Sequence, residues 1–242
     1  MFSIICCYND KKIFEDFLLS SLKEQTEDYQ LLLIDNRQNV FSGVAKAYNS
    51  VLDNIENENV IFCHQDFAFK EANQLEELGK ILKNHKKAIL GFCGIDNNGK
   101  VYSNLLCKGT EEYITRNRVA YMMSVESIDE CCFGMSKEWL DKIGDFDERV
   151  CDNWHLYATD YCFRTKLLGG EVLLITQEAY HKNVKKPKSE VTKDYLSTLK
   201  KIRKKYKDDY EIIYSPCYIT STNVIKFKLK TFKTRMRILI GK

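Results

Sequence analysis

An α/β fold with a Rossmann-like, mostly parallel sheet flanked by helices is what this sequence predicts. Short apolar runs return at intervals of about 25–30 residues, the rhythm of successive βαβ units. The segments between them carry apolar residues at helical spacing. The first three runs break off at polar residues, and in parallel sheets ligands bind beyond the carboxyl ends of the strands.

The elements follow in order. Phe2–Tyr8 is too short and apolar for a surface helix and ends at Asn9-Asp10, so it reads as a buried strand. Ile13, Phe14, Phe17, Leu18 and Leu22 mark a helix. Leu31–Ile34 is a second strand, closed by Asp35-Asn36. Val44, Ala47, Tyr48, Val51 and Ile55 mark a second helix. Val60–Cys63 is a third strand, and it runs into His64-Gln65-Asp66. Leu75, Leu78, Ile81 and Leu82 mark a third helix before a strand over Ala88–Cys93. Each polar end alone suits a helix cap or a turn. Three on one rim suit a ligand site.

The rhythm changes after Gly94. Asp96-Asn97-Asn98-Gly99 predicts a hairpin turn. Strands are expected over Val119–Val125 and Cys131–Met135, a short helix at Trp139-Leu140 ending at Gly144, and a helix from Tyr157 to Leu168 closed by Gly169-Gly170. Val172–Ile175 is a further strand, followed by Ala179-Tyr180-His181.

Charge is unevenly placed. Residues 182–242 hold 18 Lys and Arg against 5 Asp and Glu, while the other 181 residues hold 19 against 29. An acidic body with a basic tail points to an anionic surface as partner, or to a solvated helical face. Tyr195, Leu199, Ile202 and Tyr206 share one helical face. Ile225, Leu229, Phe232, Met236 and Leu239 recur at spacings of 4, 3, 4 and 3 among lysines and arginines. That pattern suits a basic amphipathic helix on an anionic membrane, though strict alternation over Ile225–Lys230 also suits an edge strand. The chain therefore divides into residues 1–183, with halves 1–93 and 94–183, and a basic helical tail over 184–242.

No apolar run reaches the ~18 residues of a membrane span, and the start of the chain lacks a signal-peptide pattern. A cytoplasmic protein, peripheral on the inner membrane face through its tail, is expected. The ten cysteines include no C-x2-C pair, so reduced thiols in apolar runs are expected rather than disulfides or a structural zinc.

The motifs "FSIICCYND", "LLLIDN", "VIFCHQDFAF", "VESIDECCFGMSKEWLDKIGDFDE", "NWHLYATDYCFRTKLLGG" and "AYHKN" resemble, in that order, the family 2 glycosyltransferases of GT-A fold, in a bacterial branch with HQD in place of Asp-x-Asp. The resemblance covers roughly residues 2–183, the catalytic domain, whose halves 1–93 and 94–183 would serve nucleotide and acceptor. It implies an inverting transfer from a nucleotide-sugar, with UDP as the expected nucleotide, to a hydroxyl of a glycan or lipid-linked oligosaccharide. A divalent Mn²⁺ or Mg²⁺ would neutralise the leaving diphosphate.

Carried onto this sequence, the family pattern makes Asp66 and His181 the metal ligands. Tyr8, Asn9, Asp35, Asn49, His64 and Asp129 fall at donor positions, with His64 replacing the usual first carboxylate. Asp160 matches the general base, with Thr159 where an acid is usual. Trp154 and His155 precede it on the expected acceptor loop, and Glu130 borders the sugar pocket. His181 read alone is a surface or core histidine, and Asn49 a polar helix-face residue. A catalytically degenerate GT-A binding protein is the alternative. A sugar-nucleotidyltransferase would show a glycine-rich phosphate loop after the first strand, and "CCYNDKK" has no glycine. Nucleic acid is not an expected partner.

Overall fold

The computed structural model describes residues 1–182 and 191–240. The first half contains β1 (Phe2–Tyr8), α1 (Lys11–Phe14), a π turn (Glu15–Leu19), α2 (Ser20–Leu22), β2 (Tyr29–Asp35), α3 (Val44–Asn49), β3 (Asn59–Cys63), β4 (Phe67–Phe69), α4 (Gln74–Asn84) and β5 (Ala88–Gly91). Then come β6 (Cys93–Ile95), β7 (Val101–Ser103), β8 (Leu105–Cys107), β9 (Met123–Ser124), β10 (Ser127–Ile128), β11 (Cys132–Ser136), α5 (Lys137–Ile143), α6 (Tyr157–Leu167), β12 (Glu171–Leu174) and β13 (Ala179–His181). The chain continues through α7 (Lys193–Lys205), the hairpin β14 (Ile212–Ser215) and β15 (Tyr218–Ser221), and α8 (Val224–Ile240).

The central sheet has the order β2-β1-β3-β11-β5-β12-β9. β1 runs parallel to both β2 and β3, and β12 runs parallel to β5. β11 lies antiparallel between β3 and β5, and β9 is an antiparallel edge. Both faces are covered, which is why the strands read as unbroken apolar runs. The period of two sends Ile5 and Phe62 into one core layer and Ile4, Cys6 and Ile61 into the other. No two cysteines are joined by a disulfide.

Several elements differ from the sequence reading. The run Ala88–Cys93 divides at Phe92, and its second part, β6, joins a separate small sheet with β7 and β10. Gly91 permits the crossing, since a Cβ there would lie 2.7 Å from the Ile128 side chain. The turn at 96–99 forms as expected: Asp96 Oδ1 accepts from the N–H of Asn98 and Lys100, and Gly99 takes φ +78°. The second helix stops at Asn49, and Leu52–Asn54 forms only a 3₁₀ turn. Of the expected strand Val119–Val125, only Met123-Ser124 pairs. The Val119 N–H is instead bound by Asn104 Oδ1.

The boundary at residues 183–184 lies outside the described residues, and beyond it α7 packs onto the main core. Tyr195, Leu196, Leu199, Ile202 and Tyr206 are buried in the same core layer as Phe62, Phe133 and Tyr157. α8 is helical from Val224 onward, so the edge-strand alternative falls. Asn223 Oδ1 accepts from the N–H of Ile225 and Lys226 at its start, and Phe227 and Thr231, one turn apart, are buried. The side chain of Leu239 lies outside the described residues.

Candidate active site

The site forms where the parallel strands end. His64 directly follows β3, and its N–H continues the ladder to β11 by donating to the Cys131 carbonyl at 2.8 Å. The chain then turns into β4, which pairs antiparallel with β13 and sets His181 opposite Phe67. The Lys182 N–H donates to the Asp66 carbonyl at 3.1 Å. Two sequence segments more than a hundred residues apart are thus fixed in register by backbone bonds.

His181 Nε2 lies 3.4 Å from Asp66 Oδ1, and His64 Nδ1 lies 4.0 Å from the same oxygen. One ligand atom from each of the three residues falls within 4.8 Å of the others. His181 Nε2 is buried and makes no hydrogen bond, as befits a nitrogen that ligates. Two imidazoles and one carboxylate form a donor set that a divalent first-row metal ion can take. The residues therefore fit a divalent cation.

His64 is oriented by a residue the sequence reading missed. Tyr157, at the start of α6, lies with its hydroxyl 3.0 Å from His64 Nε2 and donates to the Glu130 carbonyl at 3.3 Å. A hydroxyl has one proton. If Tyr157 gives it to Glu130, it accepts from His64 Nε2–H, which leaves the Nδ1 lone pair toward Asp66. Burial first, and then the His181 and His155 rings, hold the His64 pKa below the ordinary imidazole range against the opposing pull of Asp66 and Asp129. Some 38% of its side-chain surface still meets the cleft. A neutral imidazole is the ligating form. The signal in the sequence was slight: Tyr157 opens the expected helix inside "NWHLYATDYCFRTKLLGG", but nothing there marks its hydroxyl as a partner of His64.

Beside this cluster lies a cleft of about 310 Å³, lined by Tyr8, Asn9, Asn36, His64, Asp66 and Trp154 among others. Gln65 braces its rim. Its Oε1 accepts from the N–H of Asn9 and Asp10 at 2.9 Å, and its Nε2 donates to Asn9 Oδ1 at 2.8 Å. Asp35 stands at the end of β2 with both oxygens engaged by Arg37, which also lies over the Tyr8 ring. The guanidinium, first through its hydrogen bonds, holds the exposed Asp35 carboxyl well below the usual carboxylate range. Asp129 Oδ1 accepts from the Cys131 N–H at 3.0 Å.

Trp154, 40% exposed, enters the cleft on a loop held by α7. Asn153 Nδ2 donates to the Asp194 carbonyl and Thr198 Oγ1, and Lys201 pairs with Asp152 at 2.5 Å. His155 is half-buried, edge-on to Tyr195 and 3.3 Å from Thr192 Oγ1. Gly43 makes room for the same loop: a Cβ there would sit 2.7 Å from the Asp152 backbone. Gly43→Ala is expected to push the loop outward and cost about 1–3 kcal/mol. Thermal unfolding, with emission from the two tryptophans, measures both effects.

Three expected site residues face elsewhere. Asp160 is 1% exposed and turned into the core. Its Oδ1 accepts from Lys205 Nζ and the Tyr206 hydroxyl, each at 2.7 Å, and its Oδ2 pairs with Arg164 Nε at 3.0 Å. So enclosed, the carboxylate does not open on the cleft at the strand ends. Asn49 is also structural: its side chain bonds both the N–H and the carbonyl of Phe146, and Glu148. Glu130 lies under the start of α6. Burial, then Asp129, pushes its carboxyl well above the usual range, while the backbone N–H groups of Leu156 and Tyr157 oppose that shift.

A family model described as glycosyltransferase-like matches residues 3–206. The chain belongs to that glycosyltransferase-like family. The match continues past residue 183 through α7, in keeping with the packing of that helix. No curated protein matches the sequence. Among solved structures, residues 1–349 of S. aureus TarS in complex with UDP-GlcNAc superpose with a TM-score of 0.60 at 14% identity, covering 87% of this chain and 68% of that one. GalNAc-T7 with UDP, GalNAc and Mn²⁺ gives 0.60 at 9% identity, covering 86% and 49%. The full TarS structure gives 0.58 at 14% identity, covering 87% and 40%. The glycosyltransferase thus has the GT-A architecture, a large mostly parallel sheet flanked by helices. It spans about half the length of the GalNAc-T7 chain and less of full TarS.

Proposed function

We propose that this glycosyltransferase moves a sugar from a UDP-sugar to a hydroxyl of a glycan or lipid-linked oligosaccharide, with inversion and with a bound divalent metal. The observation that carries this reading is the His64–Asp66–His181 cluster beside the cleft at the strand ends. Those three residues would hold Mn²⁺ or Mg²⁺, which supplies Lewis-acid neutralisation of the diphosphate when bound. Tyr8, Asn9 and the β2 end around Asp35 border the room for the nucleotide, and Gln65 keeps that rim in shape. Asp129 would face the donor sugar. Trp154 offers an indole face on which an acceptor sugar ring can stack.

An inverting transfer needs a base at the attacking hydroxyl. With Asp160 turned inward, we assign that role to His155, next to Trp154 on the same loop. Burial lowers the His155 pKa, outweighing Asp194, which favours the neutral ring that can accept a proton.

A second reading has a specific observation in its favour. The enclosure of Asp160 is also what a non-catalytic GT-A binding protein would show. One experiment separates them: a panel of sugar nucleotides incubated with purified protein and Mn²⁺ or Mg²⁺, with released nucleoside diphosphate measured. Release that stops on chelation and returns with metal supports the transferase. Tight UDP binding with no release across the panel, acceptor glycans included, supports the binding protein.

A further inference from the structure

The helix α8 has two apolar strips, and the fold uses only one. Phe227, Thr231, Thr234 and Ile238 face the body; Phe227 and Thr231 are buried, and Thr234 Oγ1 lies 2.8 Å from the Tyr218 hydroxyl of β15. Arg203 of α7 lies over the Phe227 ring. On the opposite side, Ile225, Leu229, Phe232 and Met236 are 67%, 62%, 64% and 41% exposed. At 3.6 residues per turn, their spacings of 4, 3 and 4 draw one straight ridge pointing away from the protein.

Cations border the ridge on both sides. Lys226, Lys233 and Arg237 fall along one flank and Lys228 and Arg235 along the other. Residues 212–242 contain seven Lys and Arg and no Asp or Glu. Four exposed large apolar side chains in a row are unusual on a soluble surface and mark an interaction site.

We propose that α8 docks the protein on an anionic lipid bilayer, lying in the plane of the headgroups with the ridge in the acyl boundary and the flanking cations on lipid phosphates. This inference does not rest on the catalytic reading. An apolar crest with basic shoulders is complementary to that interface and to few others. A nucleic-acid surface would set phosphates against the crest and leave it no apolar partner. A second copy joined crest to crest would bring two rows of cations together. Among the described residues no helix is long and apolar enough to cross a membrane, and α8 carries too many charges to do so. The fold also braces the docked helix: the hairpin β14–β15 and α7 hold its inner face, so the ridge is presented already helical.

The test is co-sedimentation of the whole protein with lipid vesicles. Phosphatidylcholine vesicles containing about 30 mol % phosphatidylglycerol should retain the protein, and pure phosphatidylcholine should retain little. Leu229→Glu with Phe232→Glu should abolish retention. Lys228→Gln, Lys233→Gln and Arg235→Gln combined should weaken it about a hundredfold, each cation contributing a similar share of the attraction to anionic headgroups. Circular dichroism and thermal unfolding of the variants should match the parent, since all five side chains are exposed. The proposal is overturned by a protein that stays in the supernatant, by equal retention on neutral vesicles, or by unchanged retention of the Glu variant. A dimer that the Glu variant dissociates, with no vesicle binding, would assign the ridge to a second copy. Salt-sensitive capture by duplex DNA with no vesicle binding would assign it to nucleic acid.

Discussion

Asp160→Ala is expected to destabilise the protein by about 3–5 kcal/mol, because it strips the shared carboxylate from a buried charge cluster. Asp160 holds Lys205 and the Tyr206 hydroxyl through one oxygen and Arg164 through the other. Lys205 also reaches Asp147 at 2.8 Å, so the cluster ties α6, α7 and the loop after α5 together. Removing the anion leaves Arg164 and Lys205 repelling each other with little access to water. For a chain of this length the loss amounts to a fall of roughly 10 °C in Tm. Asp160→Asn keeps the volume and one acceptor oxygen, so its loss should be smaller, and its folded fraction should keep donor turnover. An Asn variant that is fully stable and wholly inactive would return Asp160 to the role of base.

Why the sequence alone does not show this enclosure is physical. An acid at a helix start is as suited to a buried i,i+4 pair with Arg164 as to catalysis, and both need the same spacing. The deciding partners, Lys205 and Tyr206, lie about 45 residues further on, in a helix that reads as a lysine-rich surface. Nothing local distinguishes a solvated lysine from one that reaches a core carboxylate. The strands of the sheet were legible for the opposite reason: burial on both faces leaves an unbroken apolar run that needs no distant information. β1, β3 and β12 follow that rule. Where a strand changes sheets, as at Phe92, the run continues and the break is invisible. Within the site, His64 and Asp66 were readable as the polar end of a strand. That His181 lies against them follows from the β4–β13 register, with the resemblance its only sign in the sequence. Tyr157 had none.

The site makes its strongest demand on Asp66. It is the only carboxylate in the three-residue cluster, so Asp66→Asn removes the sole negative charge that would face a divalent cation. Turnover should fall roughly 100- to 1,000-fold, equivalent to about 3–4 kcal/mol of lost transition-state stabilisation. Mn²⁺ affinity, read directly by calorimetry on the folded variant, should fall with it. Stability should change little, because the Asp66 side chain is a quarter exposed and only its carbonyl is used in the ladder. Tyr157→Phe is the sharper companion. It touches no metal, yet it removes the hydroxyl that fixes which His64 nitrogen carries the proton. Loss of such an outer partner typically costs 10- to 100-fold in metal affinity. The Phe variant should therefore need more Mn²⁺ for half-maximal turnover and regain much of its rate at saturation. Asp66→Asn should not be rescued in that way. Should both variants bind Mn²⁺ as the parent does, the metal would have to sit elsewhere, and the cluster would be a hydrogen-bonded strand end and nothing more.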